Sequence, residues 1–395
     1  MLKRHIKANS LESNNQLTHS LPSSAHRWSQ LITDPKRQFD KPNSKYQFGV
    51  FPGEGIGPEI IDASLQVLRR VGELRSINFE PVIGGPIGLP AVAKSGQCLP
   101  DDAIEFCKTM FATRSPILAG AGGSRFVYDM RREFDLFCKI NPLTPNPILA
   151  NCGVLKSAVV KDVDIIVVRD NSAGIYQGTW TESTSPHGLQ ATQTFSYNES
   201  QIQKIVRVSA AIAQNRRQKL SIVIKSNGVP TISNLWVQCA KPIAKEFGVA
   251  LEFLDIDFAV YQVVQSPTSF DVIVTPNLCG DIIADVGGLL LGSRGLCFGA
   301  SFSTTGAGVY QTNHGAAHDL AGTNRANPVG QIYSLAMMLH EQFGLTTEAK
   351  MIDTAISEVW KNGFRTFDTM EQNCQLVGTQ EMTELIVKSI QTGDT

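Results

Sequence analysis

The chain has 395 residues, of which 42% are hydrophobic and 18% charged, and a formal net charge of −1. That is the composition of a globular protein long enough to build two core-forming units. The near-neutral charge gives no electrostatic case for nucleic acid or a membrane surface as partner, and no apolar run reaches the length of a membrane span.

Residues 1–45 are rich in Ser, Asn, Gln and Lys/Arg and have few periodic apolar positions. They read as a disordered or loosely docked extension. Lys3, Arg4 and Lys7, with Glu12 the only acid before Asp34, leave an organellar transit peptide as the alternative to a cytoplasmic protein. The eight cysteines are scattered and form no Cys-x-x-Cys pair. That pattern fits a reducing compartment better than a disulfide framework or a zinc site.

The first predicted strand covers residues 46–51. A glycine-rich turn, Pro52-Gly53-Glu54-Gly55-Ile56-Gly57-Pro58-Glu59, follows it, and a helical pattern runs from residue 60 to about 74. This is a βα unit. The turn is a weak dinucleotide fingerprint, because Pro58 stands where a third small residue is needed. A tight turn with Pro at the first helical position explains it equally well. Strand-like runs recur at 164–168, 221–225 and 271–275, with helical patterns at 201–215 and 232–247. The alternation predicts an α/β fold with a largely parallel sheet. Residues 292–328 form a long glycine-rich connection ahead of a helix over 330–342. A connection of that length is expected to be functional.

Five blocks can carry chemistry. The first is Met130-Arg131-Arg132-Glu133-Phe134-Asp135-Leu136, where arginine offers a planar fork for a carboxylate. The plainer reading is a helix-face charge pair with Glu133 or Asp135. Next is Val167-Val168-Arg169-Asp170-Asn171-Ser172-Ala173-Gly174-Ile175-Tyr176-Gln177-Gly178, with Arg169 beyond a strand end and Tyr176 in a glycine-flanked turn. In Ile224-Lys225-Ser226-Asn227-Gly228 the lysine ends an apolar strand. Desolvation there would lower its pKa and suit proton transfer, unless the side chain reaches solvent. The fourth block combines Asp257 with Asn277-Leu278-Cys279-Gly280-Asp281-Ile282-Ile283-Ala284-Asp285. Asp281 and Asp285, four apart, share one helix face and suit a hard divalent cation. The last is His314-Gly315-Ala316-Ala317-His318-Asp319-Leu320-Ala321-Gly322 with Ala326-Asn327-Pro328. Its small residues allow a backbone to approach a ligand closely.

Together these blocks resemble the isocitrate/isopropylmalate dehydrogenase family of metal-dependent, decarboxylating β-hydroxyacid dehydrogenases, from about residue 48 to 387. The Asn-x-x-Gly-Asp-x-x-x-Asp signature matches Asn277–Asp285, and the His-Gly-(Ser/Ala)-Ala-x-Asp-x-Ala-Gly loop matches His314–Gly322. The resemblance implies that family's fold rather than a true Rossmann fold. A large cofactor domain (46–137 and 292–395) and a small domain (138–291) would flank a cleft. It implies that Asp257, Asp281 and Asp285 hold Mg²⁺ or Mn²⁺, and that Arg131 and Arg169 clamp a malate-like substrate. Tyr176 would be the general acid, and Lys225 would assist deprotonation of the hydroxyl. Lys225 and Asp257 would serve the partner's site in a homodimer. Asn227, His314, Gly315, Ala316, Asp319, Leu320 and Asn327 would bind the dinucleotide. Asp319-Leu320 stands where NADP-preferring relatives carry lysine and tyrosine. NAD⁺ is therefore expected, although Arg325 lies close by.

The chain departs from the family pattern in three places. Asn141, in Cys138-Lys139-Ile140-Asn141-Pro142, replaces the third substrate arginine, with Lys139 expected on the other side of the strand. The acid of the usual Arg-Glu pair is Asp170. The substrate-selecting segment, Gly122 to Asp129, lacks both the leucine pair of isopropylmalate enzymes and the Ser-x-Asn pattern of isocitrate enzymes. In that segment Arg125 is a candidate to replace the lost charge or meet an acidic substituent, and Tyr128 to line a pocket for a bulky one. Residues 131–135 also resemble D-malate and tartrate dehydrogenases. An isopropylmalate-like 3-substituted malate is the first expectation, with isocitrate, homoisocitrate and D-malate as alternatives. A non-catalytic regulatory subunit is the reading of another class. Such subunits tend to lose the metal aspartates or the lysine, and this chain keeps them.

Overall fold

The computed structural model describes residues 27–33 and 46–391. Expectations for residues 1–26 and 34–45, including the transit peptide, lie outside the described residues. In chain order the main strands are β1 (Tyr46–Phe51), β2 (Phe79–Ile83), β3 (Ile117–Ala119), β4 (Cys138–Leu143), β5 (Ile165–Asp170), β6 (Thr179–Ser185), β7 (Gly188–Thr194), β8 (Lys219–Ile224), β9 (Ala250–Asp255), β10 (Val272–Thr275), β11 (Phe298–Phe302) and β12 (Gly308–Thr312). Ten of them form one sheet in the order β2-β1-β3-β12-β11-β4-β5-β10-β8-β9, and β6 with β7 makes a separate hairpin.

Strands from residues 46–137 and 292–395 occupy one half of that sheet, and strands from 138–291 the other. They meet where β11 pairs with β4. Pairing is parallel on both flanks. In the centre, β12–β11, β11–β4 and β4–β5 are antiparallel. The parallel sheet expected from βα alternation therefore holds only outside the seam. β11 and β12 are joined by the short stretch 303–307, too short for the crossover that parallel neighbours need. Residues 298–312 also correct the expectation of a continuous irregular connection from 292 to 328.

Two helices position the site. Gly57–Arg75 starts with Pro58 in its first turn and Glu59 nearby, and buries Ile60, Ile61, Val67, Leu68 and Val71. Pro at that point leaves no donor unpaired, which is why the helix begins earlier than its apolar periodicity suggests. Asn277–Leu291 follows β10 directly. Thr275 at the end of β10 is in register with Arg169 on β5, so this helix starts beside that arginine. Gly280 permits the approach: a Cβ there would lie 2.7 Å from Arg169 Cβ and Cγ. Further round the fold, Trp28–Ile32 is a short helix whose Trp28 and Ile32 are buried. Ser29 donates its N–H to Glu341 Oε2 (2.9 Å) and its hydroxyl to the Glu341 carbonyl (2.7 Å). Among the described residues no helix is long and apolar enough to cross a membrane.

Candidate active site

The side chains of Arg131, Lys139, Arg169, Tyr176 and Asp281 converge at the carboxyl ends of β5 and β10. Arg169, 3% exposed, is the hub. Its Nε donates to Asn277 Oδ1 (2.9 Å), its Nη1 to Asp281 Oδ1, and its guanidinium lies 5.5 Å from the centre of the Tyr176 ring. Asn277 is itself fixed: its N–H donates to the Tyr197 hydroxyl (3.0 Å) and its Nδ2 to the Ala173 carbonyl (2.9 Å). Tyr176 donates its hydroxyl to Asp281 Oδ2 (2.8 Å). Burial and the Asp281 carboxylate hold that phenol well above the usual tyrosine range, so it is fully protonated at neutral pH. Burial alone would raise Asp281, but Arg169, the Tyr176 hydroxyl, Lys139 and Arg131 hold it below the usual carboxylate range.

Positive charge is in excess here. Burial and neighbouring Arg169 pull Arg131 down to about 9. The Arg131 Nε and Arg169 Nη2 atoms are buried with no hydrogen-bond partner. Unpaired buried donors are costly, and these two belong to neighbouring guanidinium groups. The helix-face pairing of Arg131 with Glu133 or Asp135 does not form; it is Arg132 that pairs, with Asp129 (3.0 Å). At the mouth, the Tyr128 ring lies 5.1 Å from Tyr176. Arg125 lies 4.6 Å from the Trp180 ring centre and 5.3 Å from Tyr128, and donates to the Tyr176 carbonyl (3.3 Å). Trp180 went unnoticed in the sequence because β6 and β7 are polar and exposed along their length.

Two expectations about β4 need correction. Residues two apart in a strand share a face, so Lys139 lies on the same side as Asn141, not the opposite one. It is buried, within electrostatic reach of Arg131, Arg169, Asp281 and Asp285. Asn141 is fully buried, and its Nδ2 donates to the Phe298 carbonyl (3.1 Å) and to Asn313 Oδ1 (2.9 Å). With both N–H groups committed to its own chain, it is not placed to donate to a substrate.

Asp285 shares the helix face with Asp281 and pairs with Arg294 (3.0 Å). Asp257 stands apart, bonded instead to Lys225 (2.5 Å). Among the described residues no three acidic, His or Cys side chains cluster as metal ligands within one chain. Lys225 also departs from expectation: it is 39% exposed, and its bond to Asp257 raises rather than lowers its pKa. β8 ends before the side chain enters the core. Asn227 sits exposed in the following turn.

The 314–327 segment packs on the glycine turn. Ile56 N–H donates to the Ala316 carbonyl (2.8 Å). Gly55 has φ +58°, and a Cβ there would lie 2.0 Å from that carbonyl oxygen. The turn is thus shaped for backbone contact, which its sequence left undecided. Gly315 is exposed and His314 half-buried. His314 Nε2 and Glu59 Oε1 are buried without partners beside this loop. Asp319 is exposed and Leu320 packs near Ile56 and Ile60. Asn327 Oδ1 accepts from Val329 N–H (3.0 Å), and its Nδ2 donates to Asp368 (3.1 Å). The Arg325 guanidinium covers the Phe367 ring at 4.5 Å.

Known proteins of similar sequence and fold point to one family. Residues 47–386 match the family model described as isocitrate/isopropylmalate dehydrogenase. The chain is 37% identical to the 3-isopropylmalate dehydrogenase of Aquifex aeolicus, over 88% of this chain and 98% of that one. It is 36% identical to the enzyme of the same name from Carboxydothermus hydrogenoformans, over 87% and 94% respectively. The crystal structure of isocitrate dehydrogenase from Methylococcus capsulatus superposes with a TM-score of 0.78 at 29% identity, covering 87% of this chain and 99% of that one. The chain belongs to the isocitrate/isopropylmalate dehydrogenase family, a family of decarboxylating dehydrogenases, and has its α/β fold.

Proposed function

We propose that this protein catalyses the NAD⁺-linked oxidative decarboxylation of a 3-substituted malate, isopropylmalate-like in class, with Mg²⁺ or Mn²⁺. The observation that carries this reading is the pair of unpartnered buried donors, Arg131 Nε and Arg169 Nη2, on arginines that neighbour the hydrogen-bonded Asp281 and Tyr176. A small dicarboxylate satisfies both donors and offsets the excess positive charge.

Asp281 and Asp285 supply hard oxygen donors on one helix face and fit a divalent cation. Bound there, the ion would act as a Lewis acid toward the substrate hydroxyl and the ketone that replaces it. The orphaned His314 Nε2 and Glu59 Oε1, together with the close-packed 55–316 turns, fit a polar cofactor. NAD⁺ would supply the hydride acceptor. The chain's own residues do the rest. Arg131 and Arg169 fix the carboxylates, and the protonated Tyr176 hydroxyl delivers a proton to carbon once CO₂ has left. The exposed Lys225–Asp257 pair suits a homodimer in which each chain completes the other's site. Exposed apolar side chains, Phe258 and Tyr261 on the helix of Asp257 (Ile256–Gln265) and Ile282 and Leu289 on that of Asp281, suit burial between two copies. All eight cysteines are unpaired, in keeping with the cytoplasm. A second reading, a malate with an additional acidic substituent such as isocitrate or homoisocitrate, draws on Arg125 at the mouth of the site.

The test is a panel of 3-isopropylmalate, isocitrate, homoisocitrate and D-malate with Mn²⁺ and either NAD⁺ or NADP⁺, following reduced nucleotide. The expected result is fastest turnover of 3-isopropylmalate with NAD⁺, and a shift toward NADP⁺ in Asp319→Lys. No turnover of any member overturns the enzyme reading. An unchanged NAD⁺/NADP⁺ ratio in Asp319→Lys overturns the coenzyme assignment.

A further inference from the structure

Asn141 removes a cation from the site, yet β4 places another one there. Lys139 is directly opposite Arg169 in the antiparallel β4–β5 pairing. Only 7% of it is exposed. Among the described residues its ammonium has no hydrogen-bond or ion-pair partner. Like charges directly opposite each other destabilise a sheet, and a largely buried lysine without a direct ion pair is costly. Asp281 and Asp285 offset part of that cost from a distance, without a direct contact. Asp281 is already held by Arg169 and Tyr176, and Asp285 by Arg294. Burial and the two arginines push the lysine well below its ordinary pKa, and an anion bound beside it would favour its charged form.

We propose that Lys139 is a direct ligand of a substrate carboxylate, standing in for the arginine that Asn141 replaces, one strand repeat away on the same face. The inference rests on the malate-site reading above and concerns which groups set its specificity. A lysine is a point charge rather than a fork, so it holds a carboxylate without dictating the plane in which that group lies. The pocket then discriminates less by carboxylate orientation than an all-arginine site does. It selects for a second carboxylate within reach of β4.

The test measures binding rather than turnover: calorimetric titration of 3-isopropylmalate, and separately D-malate, into the full-length protein with Mg²⁺ and no nucleotide. Lys139→Gln is expected to weaken binding about tenfold or more, the loss of one charge-assisted bond. Lys139→Arg should remain within about threefold of wild type, since it keeps the charge. The ligand-free Lys139→Gln protein should melt at or above the wild-type temperature, because repulsion against Arg169 is relieved. Lys139→Gln binding as tightly as wild type, while Arg169→Lys loses affinity, overturns the Lys139 role and leaves the site reading standing. A lowered melting temperature with unchanged affinity does the same and makes the lysine structural. A wild-type protein that binds neither malate overturns the site reading, and the Lys139 role falls with it.

Discussion

Replacing Arg169 by lysine keeps the charge but removes the fork. In the folded chain the fork donates from Nε to Asn277 and from Nη1 to Asp281, and leaves Nη2 unpaired for the proposed carboxylate. An ammonium can restore the Asp281 contact alone. Asn277 Oδ1 then loses its donor in a buried position, at a cost of about 1–3 kcal/mol. For 395 residues the unfolding entropy is about 0.8 kcal/mol per kelvin near 60 °C, so the melting temperature should fall by roughly 1–4 °C. The second loss falls on the substrate. One charge-assisted bond to a carboxylate contributes about 1.5–3 kcal/mol, which is roughly a tenfold to 150-fold rise in KM. Because the carboxylate is held alike in ground and transition states, kcat should change much less than KM. Steady-state kinetics with 3-isopropylmalate, NAD⁺ and Mn²⁺, beside a thermal melt, reads both effects. A KM within twofold of wild type, with the loss confined to kcat, refutes the carboxylate-clamp role.

Tyr176→Phe should lower kcat by about 10²–10⁴ while leaving the malate KM within a few-fold, the mark of a lost proton donor; an unchanged kcat assigns the proton to another group. Gly55→Ala introduces a side chain at φ +58° against the Ala316 carbonyl. It should raise the KM for NAD⁺ by roughly tenfold through displacement of the 314–322 loop, as the cost of such strain implies, with little effect on malate KM. Glu341, which holds Ser29, is raised by burial from 4.5 to about 7. An acid whose folded pKa lies above its unfolded one stabilises most below the unfolded value, and the contribution fades as pH rises through the folded one. Denaturant melts should therefore show on the order of 3 kcal/mol less stability at pH 8 than at pH 4.5 from this group, and Glu341→Gln should flatten that slope. An identical pH dependence in the variant would count against the assignment.

The parts of the site that were legible in the sequence are those where spacing alone dictates geometry. Asp281 and Asp285 share a helix face because four residues make about one turn, and Asn277 opens that helix because β10 ends at Thr275. Arg169 was legible as the residue beyond an apolar strand. Lys139 is less legible, although strand alternation puts it on the face of Asn141: a lysine in an apolar strand carries no signal of its own until the sheet sets it opposite Arg169. The β11–β12 hairpin is masked in the sequence by Gly299 and Gly308, which lie within the strands, and by Gly306, which turns the chain between them at φ +88°. Lys225 read as desolvated because β8 is apolar, yet one chain alone leaves it in solvent beside Asp257. Trp28 and Ile32 are buried anchors in a polar stretch, and two isolated anchors produce no periodic signal.

The central seam also constrains how the molecule can be made. β11 and β12 lie between β3 and β4 in space, but some 150 residues separate them from β4 in sequence. During synthesis, residues 138–291 emerge as one continuous stretch and can pair β5, β10, β8 and β9 among themselves. β3 and β4 meanwhile keep bare edges until Phe298–Thr312 arrive to fill the gap. Such edges are templates for pairing with another nascent chain. The mixture of polar and charged groups on β4, Lys139 and Asn141 among them, keeps that edge poorly suited to a dry intermolecular zipper while it waits.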